Sequence, residues 1–164
     1  MHIRNGSLAD LRQIKELAIA VWTQFKDELT PENWTILHST LVNEGTYVDL
    51  LMQSDCFVCV TDQNEVIGFA FLVASGNPTD IYSDEQAYIR FVTVSKNHGK
   101  RQVGQRLTEQ CIRKARENGE KILALHTSEM MLAARHIYAK LEFQIVRELE
   151  PRLGKRYWLY ELVL

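Results

Sequence analysis

Between Phe91 and Leu107 the chain reads FVTVSKNHGKRQVGQRL, which sets Lys100, Arg101 and Arg106 around the start of an amphipathic helix. A β-rich run ends at Val94, a short basic turn follows, and helical spacing begins at Gly104. A strand that stops at a helix N-terminus leaves several backbone N–H groups without acceptors, and the helix dipole favours negative charge there. The chemistry this predicts is anion binding. The simplest ligand is a phosphorylated cofactor rather than a metal or a nucleic acid.

Other residue types invite a chemical reading. His126 ends a strand-like run and titrates near neutral pH unless perturbed. Glu85 and its neighbour Asp84 precede another such run and are either solvated loop acids or a base. Cys56 and Cys59 form a C-x-x-C, but within the β-branched stretch CFVCV. Residues three apart on a strand point to opposite faces, so these read as core cysteines rather than a metal or redox pair. No cysteine stands in a nucleophile-and-base pattern, and no metal site is expected.

These groups need a frame. At 164 residues the chain fits one domain, 1–164, with a substantial core. Its formal net charge of −2 argues against a general nucleic-acid footprint. No apolar run approaches the roughly 20 residues that span a bilayer, so no membrane partner is expected. The opening MHIRNGSLAD lacks the apolar core of a secretion signal, and with only three cysteines a cytoplasmic location is expected.

Apolar periodicity divides the chain into a short strand at 2–6, one long helix at 8–29 capped by Ser7 with Asp10 answering, and a second helix at 31–43 after Thr30-Pro31. Another turn or two is expected at 47–53. Strands follow at 56–61 and 66–74, joined by a hairpin, then a polar loop, then a strand at 86–94. The helix from Gly104 stops at Asn118-Gly119. A strand at 121–127, a helix at about 130–141, and strands at 143–149 and 156–164 complete the order β-α-α-β-β-β-α-β-α-β-β. This predicts an α/β (α+β) fold with a single mixed, mostly antiparallel sheet of six to seven strands and helices on both faces. The last strand, RYWLYELVL, is long and apolar and is expected at a sheet edge, where two copies could pair as a homodimer.

The element order, the segment VTVSKNHGKRQVG and the segment AARHIYAKLEF together resemble the GCN5-related N-acetyltransferase superfamily over nearly the whole chain. The first segment is similar to the family's acetyl-CoA loop, and its six pattern positions fall on Gly99, Lys100, Arg101, Gln102, Val103 and Gly104. The second is similar to the family's A-x-x-x-Y-x-K-x-G-F, with Ala134, Tyr138, Lys140 and Phe143 matching. Gly99 stands where Arg or Gln is usual, Gln102 replaces the middle glycine, Glu142 replaces the glycine before Phe143, and Met131 stands where many relatives have Asn.

The resemblance implies an acyl-CoA N-acyltransferase-like fold and an N-acetyltransferase that moves an acetyl group from acetyl-CoA to a primary amine, by direct transfer in a ternary complex. It assigns pyrophosphate binding to residues 99–105, Gly99 to Gln105, and pairing with the pantetheine arm to Val92, Thr93 and Val94, with Val92 and Val94 offering the backbone groups. It puts Tyr138 in the role of proton donor to the leaving thiolate, which suits a phenol with an ordinary pKa of about 10. It offers Glu85 as the base, with His126 as a rival. The acceptor is expected to be a small-molecule or peptide amine, contacted by Trp22, Phe25, Trp34 and Tyr47 and attracted by Asp27, Glu28, Asp80 and Asp84. A non-catalytic acyl-CoA-binding or regulatory module on the same fold is the alternative.

Overall fold

The structure, a computed structural model, describes residues 1–164 apart from the side chains of Lys100 and Arg101. Seven strands form one sheet in the order β1-β2-β3-β4-β5-β7-β6. In the chain they are β1 (His2–Asn5), β2 (Asp55–Val60), β3 (Val66–Val73), β4 (Ala87–Val94), β5 (Ile122–Ser128), β6 (Gln144–Arg152) and β7 (Lys155–Val163). Every neighbouring pair is antiparallel except β4 and β5. Helices α1 (Leu11–Thr23), α2 (Pro31–Val42) and α3 (Glu44–Gln53) cover one face, and α4 (Val103–Glu117) and α5 (Leu132–Lys140) the other. The mixed, mostly antiparallel sheet with helices on both faces is the architecture expected.

Each face has its own core. Ile14, Leu41, Tyr47, Phe69 and Phe71 lie on the first. Ile67, Leu107, Cys111, Leu123 and Tyr138 lie on the second. Cys56 belongs to the first and Cys59 to the second, as strand alternation requires. Burial raises the thiol of Cys56 to about 12, which keeps it protonated and inert.

Several boundaries differ from expectation. The single helix at 8–29 is instead a 3-10 turn at Leu8–Asp10, the helix α1, and a second 3-10 turn at Lys26–Glu28. At its end Gln24 and Phe25 donate to Val21 and Trp22, three residues back, and Thr23 Oγ1 bonds the Ile19 carbonyl at 2.6 Å. These tighter bonds close α1. At its start Ser7 and Asp10 form the reciprocal cap, and Arg4 grips both carboxylate oxygens at 3.0 and 2.8 Å. The turn expected at 47–53 is a full helix, because the Asn43 side chain accepts from the Gly45 N–H at 3.1 Å and starts it earlier.

The last strand is not an edge. β7 pairs with β5 on one side and β6 on the other, so the sheet ends at β1 and β6. The apolar run of β7 therefore reflects burial in the sheet interior rather than a surface for a second copy. Pro151 sits in β6, where an edge strand can spare a backbone donor.

A cleft at the divergence of two strands

The site begins with a pairing that stops. β4 and β5 run parallel but join only at Ala87↔Leu123 and Tyr88↔Ala124. Beyond Tyr88, β4 continues along β3 to Val94, while β5 continues along β7 to Ser128. The two strands diverge and leave a gap through the sheet.

A bulge shapes the β4 side of that gap. Gly68, Phe69 and Phe71 oppose Val94, Thr93 and Arg90, so Phe91 and Val92 together face Ala70. Phe91 takes a left-handed φ of 57° to make this turn. Its ring joins the core of the first face against Tyr47 and Phe71, while Val92 and Val94 pack on the second. Ser95 donates to Ile67 at 2.8 Å, which by strand alternation sets the backbone groups of Thr93 toward β3 and those of Val94 away from it.

The gap opens into a cleft of about 360 Å³. Its walls are Ile89–Val92 of β4, Leu125–Ser128 of β5, Trp22 of α1, Leu37, Thr40 and Leu41 of α2, Ala134 and Tyr138 of α5, and Arg152, Leu153 and Tyr157 of the last hairpin, with Met131 between β5 and α5. That hairpin turns on Leu153 and Gly154, with φ of 53° and 71°, the two positive values a tight two-residue connection requires. A Cβ on Gly154 would sit 3.1 Å from Asn33 of α2, so the turn rests against that helix.

Tyr138 closes the α5 end. It is 5% exposed, lines the cleft, and its hydroxyl has no hydrogen-bond partner among the described residues. Burial pushes its pKa well above the ordinary phenol value, so it carries its proton at neutral pH. Its place is fixed by the end of α5. Phe143 N–H donates to the Tyr138 carbonyl at 3.0 Å and Glu142 N–H to Ala139 at 3.1 Å, the paired bonds of a Schellman stop. The Phe143 ring lies 5.9 Å from that of Tyr138. Glu142 occupies the left-handed position of this stop with φ of 68°.

His126 faces the cleft from β5. Its Nδ1 lies 2.5 Å from the Tyr82 hydroxyl, and Tyr82 stacks on Tyr88 with centroids 4.0 Å apart. Burial, then the charges of Arg152 and Arg90, lower His126 to about 4, so it is neutral at pH 7.

The turn expected to bind an anion lies beyond Val94. A 3-10 turn at Lys96–Arg101 leads to Gln102, whose φ of 57° and ψ of 23° are left-handed, and α4 begins at Val103. The first intrahelical bond is Arg106 N–H to the Gln102 carbonyl at 3.0 Å, so the N–H groups just ahead of it have no helical acceptor. Gly104 is buried. A Cβ there would lie 3.3 Å from Ile137 and 3.4 Å from Val94, so the glycine lets β4, α4 and α5 converge. Gly99 has open space around it. The Gln105 side chain is held by Glu109 and Lys140. The side chains of Lys100 and Arg101 lie outside the described residues.

The structure thus brings Val92, His126 and Tyr138 to one cleft and sets Val94 and the 99–105 turn at its end. Thr93 is buried on the far side of the strand and does not line the cleft. Glu85 is exposed and outside it. Of the expected acceptor contacts only Trp22 lines the cleft. Tyr47 is fully buried and donates to the Leu41 carbonyl at 2.7 Å. Asp27, Glu28, Asp80 and Asp84 stay outside, and Asp80 pairs with Arg152 at 2.7 Å. His98 is half-buried with an enclosed Nδ1. Sequence reasoning missed Arg90 and Arg152. A lone cation inside the apolar run AYIRFVTV was a signal for the first.

A buried phenol with no hydrogen-bond partner among the described residues, beside a split sheet and a helix N-terminus, suits a ligand with an anionic head and a long amide arm. Solved structures share this fold. The PaiA N-acetyltransferase of Thermoplasma acidophilum, in complex with coenzyme A, superposes with a TM-score of 0.79 at 14% identity, covering 99% of this chain and 98% of that one. A GCN5-related N-acetyltransferase from Kribbella flavida gives 0.74 at 17% identity over 99% and 97%. A ribosomal-protein-alanine N-acetyltransferase from Brucella melitensis gives 0.67 at 17% over 100% of both. No curated protein matches the sequence. The family model described as acetyltransferase (GNAT) family matches residues 14–143. Because that match runs from the first turn of α1 through the stop of α5, well over half of the sequence, the chain belongs to the acetyltransferase (GNAT) family.

Proposed function

We propose that the protein is an N-acetyltransferase that uses acetyl-CoA and acetylates a primary amine by direct transfer in a ternary complex. The observation that carries this reading is Tyr138, a buried, protonated phenol without a hydrogen-bond partner among the described residues, at the point where β4 and β5 part.

Bound there, acetyl-CoA supplies an acetyl group activated as a thioester. The free N–H groups at the start of α4 hold the pyrophosphate, with the helix dipole adding to their attraction. The outward backbone of Val92 and Val94 pairs with the amide arm as an added strand would. A backbone N–H at Val92 polarises the carbonyl. The amine approaches from the α1–α2 side and attacks in its neutral form. Tyr138 holds its proton at Oη and gives it to the departing sulfur. His126 takes the amine proton, because it lines the cleft in the neutral form that can accept one. Glu85, exposed outside the cleft, would need a chain of waters to serve.

The test is release of CoA thiol from acetyl-CoA across a panel of primary amines, with the acetylated product identified by mass. Amine-dependent release is expected. Stabilisation by CoA with no product from any amine would instead favour a binding module.

A further inference from the structure

The acceptor end of the cleft carries positive charge and no negative charge. Among its lining residues are Arg90 and Arg152, and none is Asp or Glu. Arg90 is half-buried on β4, and no carboxylate lies within ion-pair distance of it among the described residues. Its guanidinium sits 5.1 Å from the Phe91 ring centroid. Arg152 reaches in from the end of β6 and shares its charge with the exposed Asp80.

Strand alternation separates these arginines from the cofactor's phosphates. Arg90 follows Tyr88 on the α1–α2 face, whereas Val92, Val94 and α4 belong to the other. Arg90 also stands four residues before Val94, a span that the bulge shortens to three steps of β3, roughly 10 Å along the strand. The remaining walls near it, Trp22, Leu37, Phe91 and Tyr157, are apolar or aromatic. A polyamine entering here would meet two guanidiniums, while Asp80, the acid paired with Arg152, lies outside the cleft.

We infer that the acceptor is a small amine that also bears a carboxylate, held by Arg90 and Arg152, with an apolar or aromatic body: an amino acid of hydrophobic side chain fits this chemistry. Arg90 and Arg152 are specificity-determining residues, since a planar guanidinium grips a carboxylate through paired N–H donors. This rests on the N-acetyltransferase reading above.

The experiment uses matched acceptors that differ only in the acid: phenylalanine, its methyl ester and phenethylamine, and likewise leucine and 3-methylbutylamine. With wild-type protein kcat/KM is expected to be higher for the carboxylated member by at least about tenfold, the discrimination that one charge-assisted hydrogen bond supports. Arg90→Gln and Arg152→Gln are expected to erase most of that ratio, which is taken between matched acceptors within each variant so that a general change in turnover cancels. Arg90→Lys, which retains charge without the fork, is expected to recover part of it. Far-UV circular dichroism checks that each variant is folded. Equal or better use of the decarboxylated amines by the wild type, or an unchanged ratio in both Gln variants, would overturn the inference. If no amine is acetylated, the N-acetyltransferase reading fails by itself. The carboxylate site is then judged by calorimetric binding of N-acetylphenylalanine against N-acetylphenethylamine with CoA present. Tenfold tighter binding of the acid, lost in Arg90→Gln, supports it, and equal binding overturns it.

Discussion

Two titratable residues in the cleft are kept neutral by burial, and the proposed transfer draws on both states. Tyr138 retains a proton to give, and His126 remains able to receive one. For His126 this has a cost in acid. The folded value is about 4 against an ordinary 6.5, so between those pH values the unfolded chain binds a proton that the folded chain refuses. Stability therefore falls as pH drops through that window, by on the order of 2 kcal/mol from this residue. Urea unfolding at pH 7 and pH 4.5 should show a smaller loss for His126→Asn than for the wild type. Identical losses would contradict the neutral, buried histidine. The residues that depart from the family pattern are instructive at the same scale. Gln102 and Glu142 stand where relatives have glycine, and both still adopt left-handed φ, 57° and 68°. The motif's backbone is kept without its usual residue, at a strain of roughly 1–2 kcal/mol each.

At the scale of elements, the site depends on how closely α4 approaches the sheet. Gly68 of β3 permits it. A Cβ there would fall 2.8 Å from Val103 and 3.1 Å from the Thr93 carbonyl. Gly68→Ala must push the first turn of α4 off β3, and because one obstacle is backbone it cannot simply rotate away. A loss of roughly 1–3 kcal/mol in urea unfolding is expected, with weaker acetyl-CoA binding in parallel. Wild-type stability would show that the turn has slack. Most elements were legible because their signals are local: the Ser7 and Asp10 cap, Thr30-Pro31, Asn118-Gly119 and the alternation that separates Cys56 from Cys59. What was not legible is set by pairing partners. Nothing local in RYWLYELVL says that β6 covers its outer side. Nothing local places the bulge at Phe91 either, since it arises from the register against Ala70.

At the scale of the whole molecule, the cleft exists because β4 and β5 each commit to their other neighbour. Two residue pairs hold them together, and the divergence beyond Tyr88 opens a passage from the α1–α2 face to the α4–α5 face. The anion-binding turn and Tyr138 belong to one face, Arg90 and His126 to the other. The sequence motifs pointed to the first pair, since both lie in contiguous segments. The acceptor side is assembled from α1, α2, β4, β5 and the last hairpin, so its charge could be seen only once the fold was built. The central claim is that Tyr138 supplies the proton for transfer across this passage. It is tested most directly by steady-state kinetics of Tyr138→Phe with acetyl-CoA and the best acceptor from the amine panel. We predict that kcat falls by roughly 10²–10⁴ with little change in acetyl-CoA affinity, because only the hydroxyl is lost from a packed ring. Wild-type kcat in that variant would contradict the account.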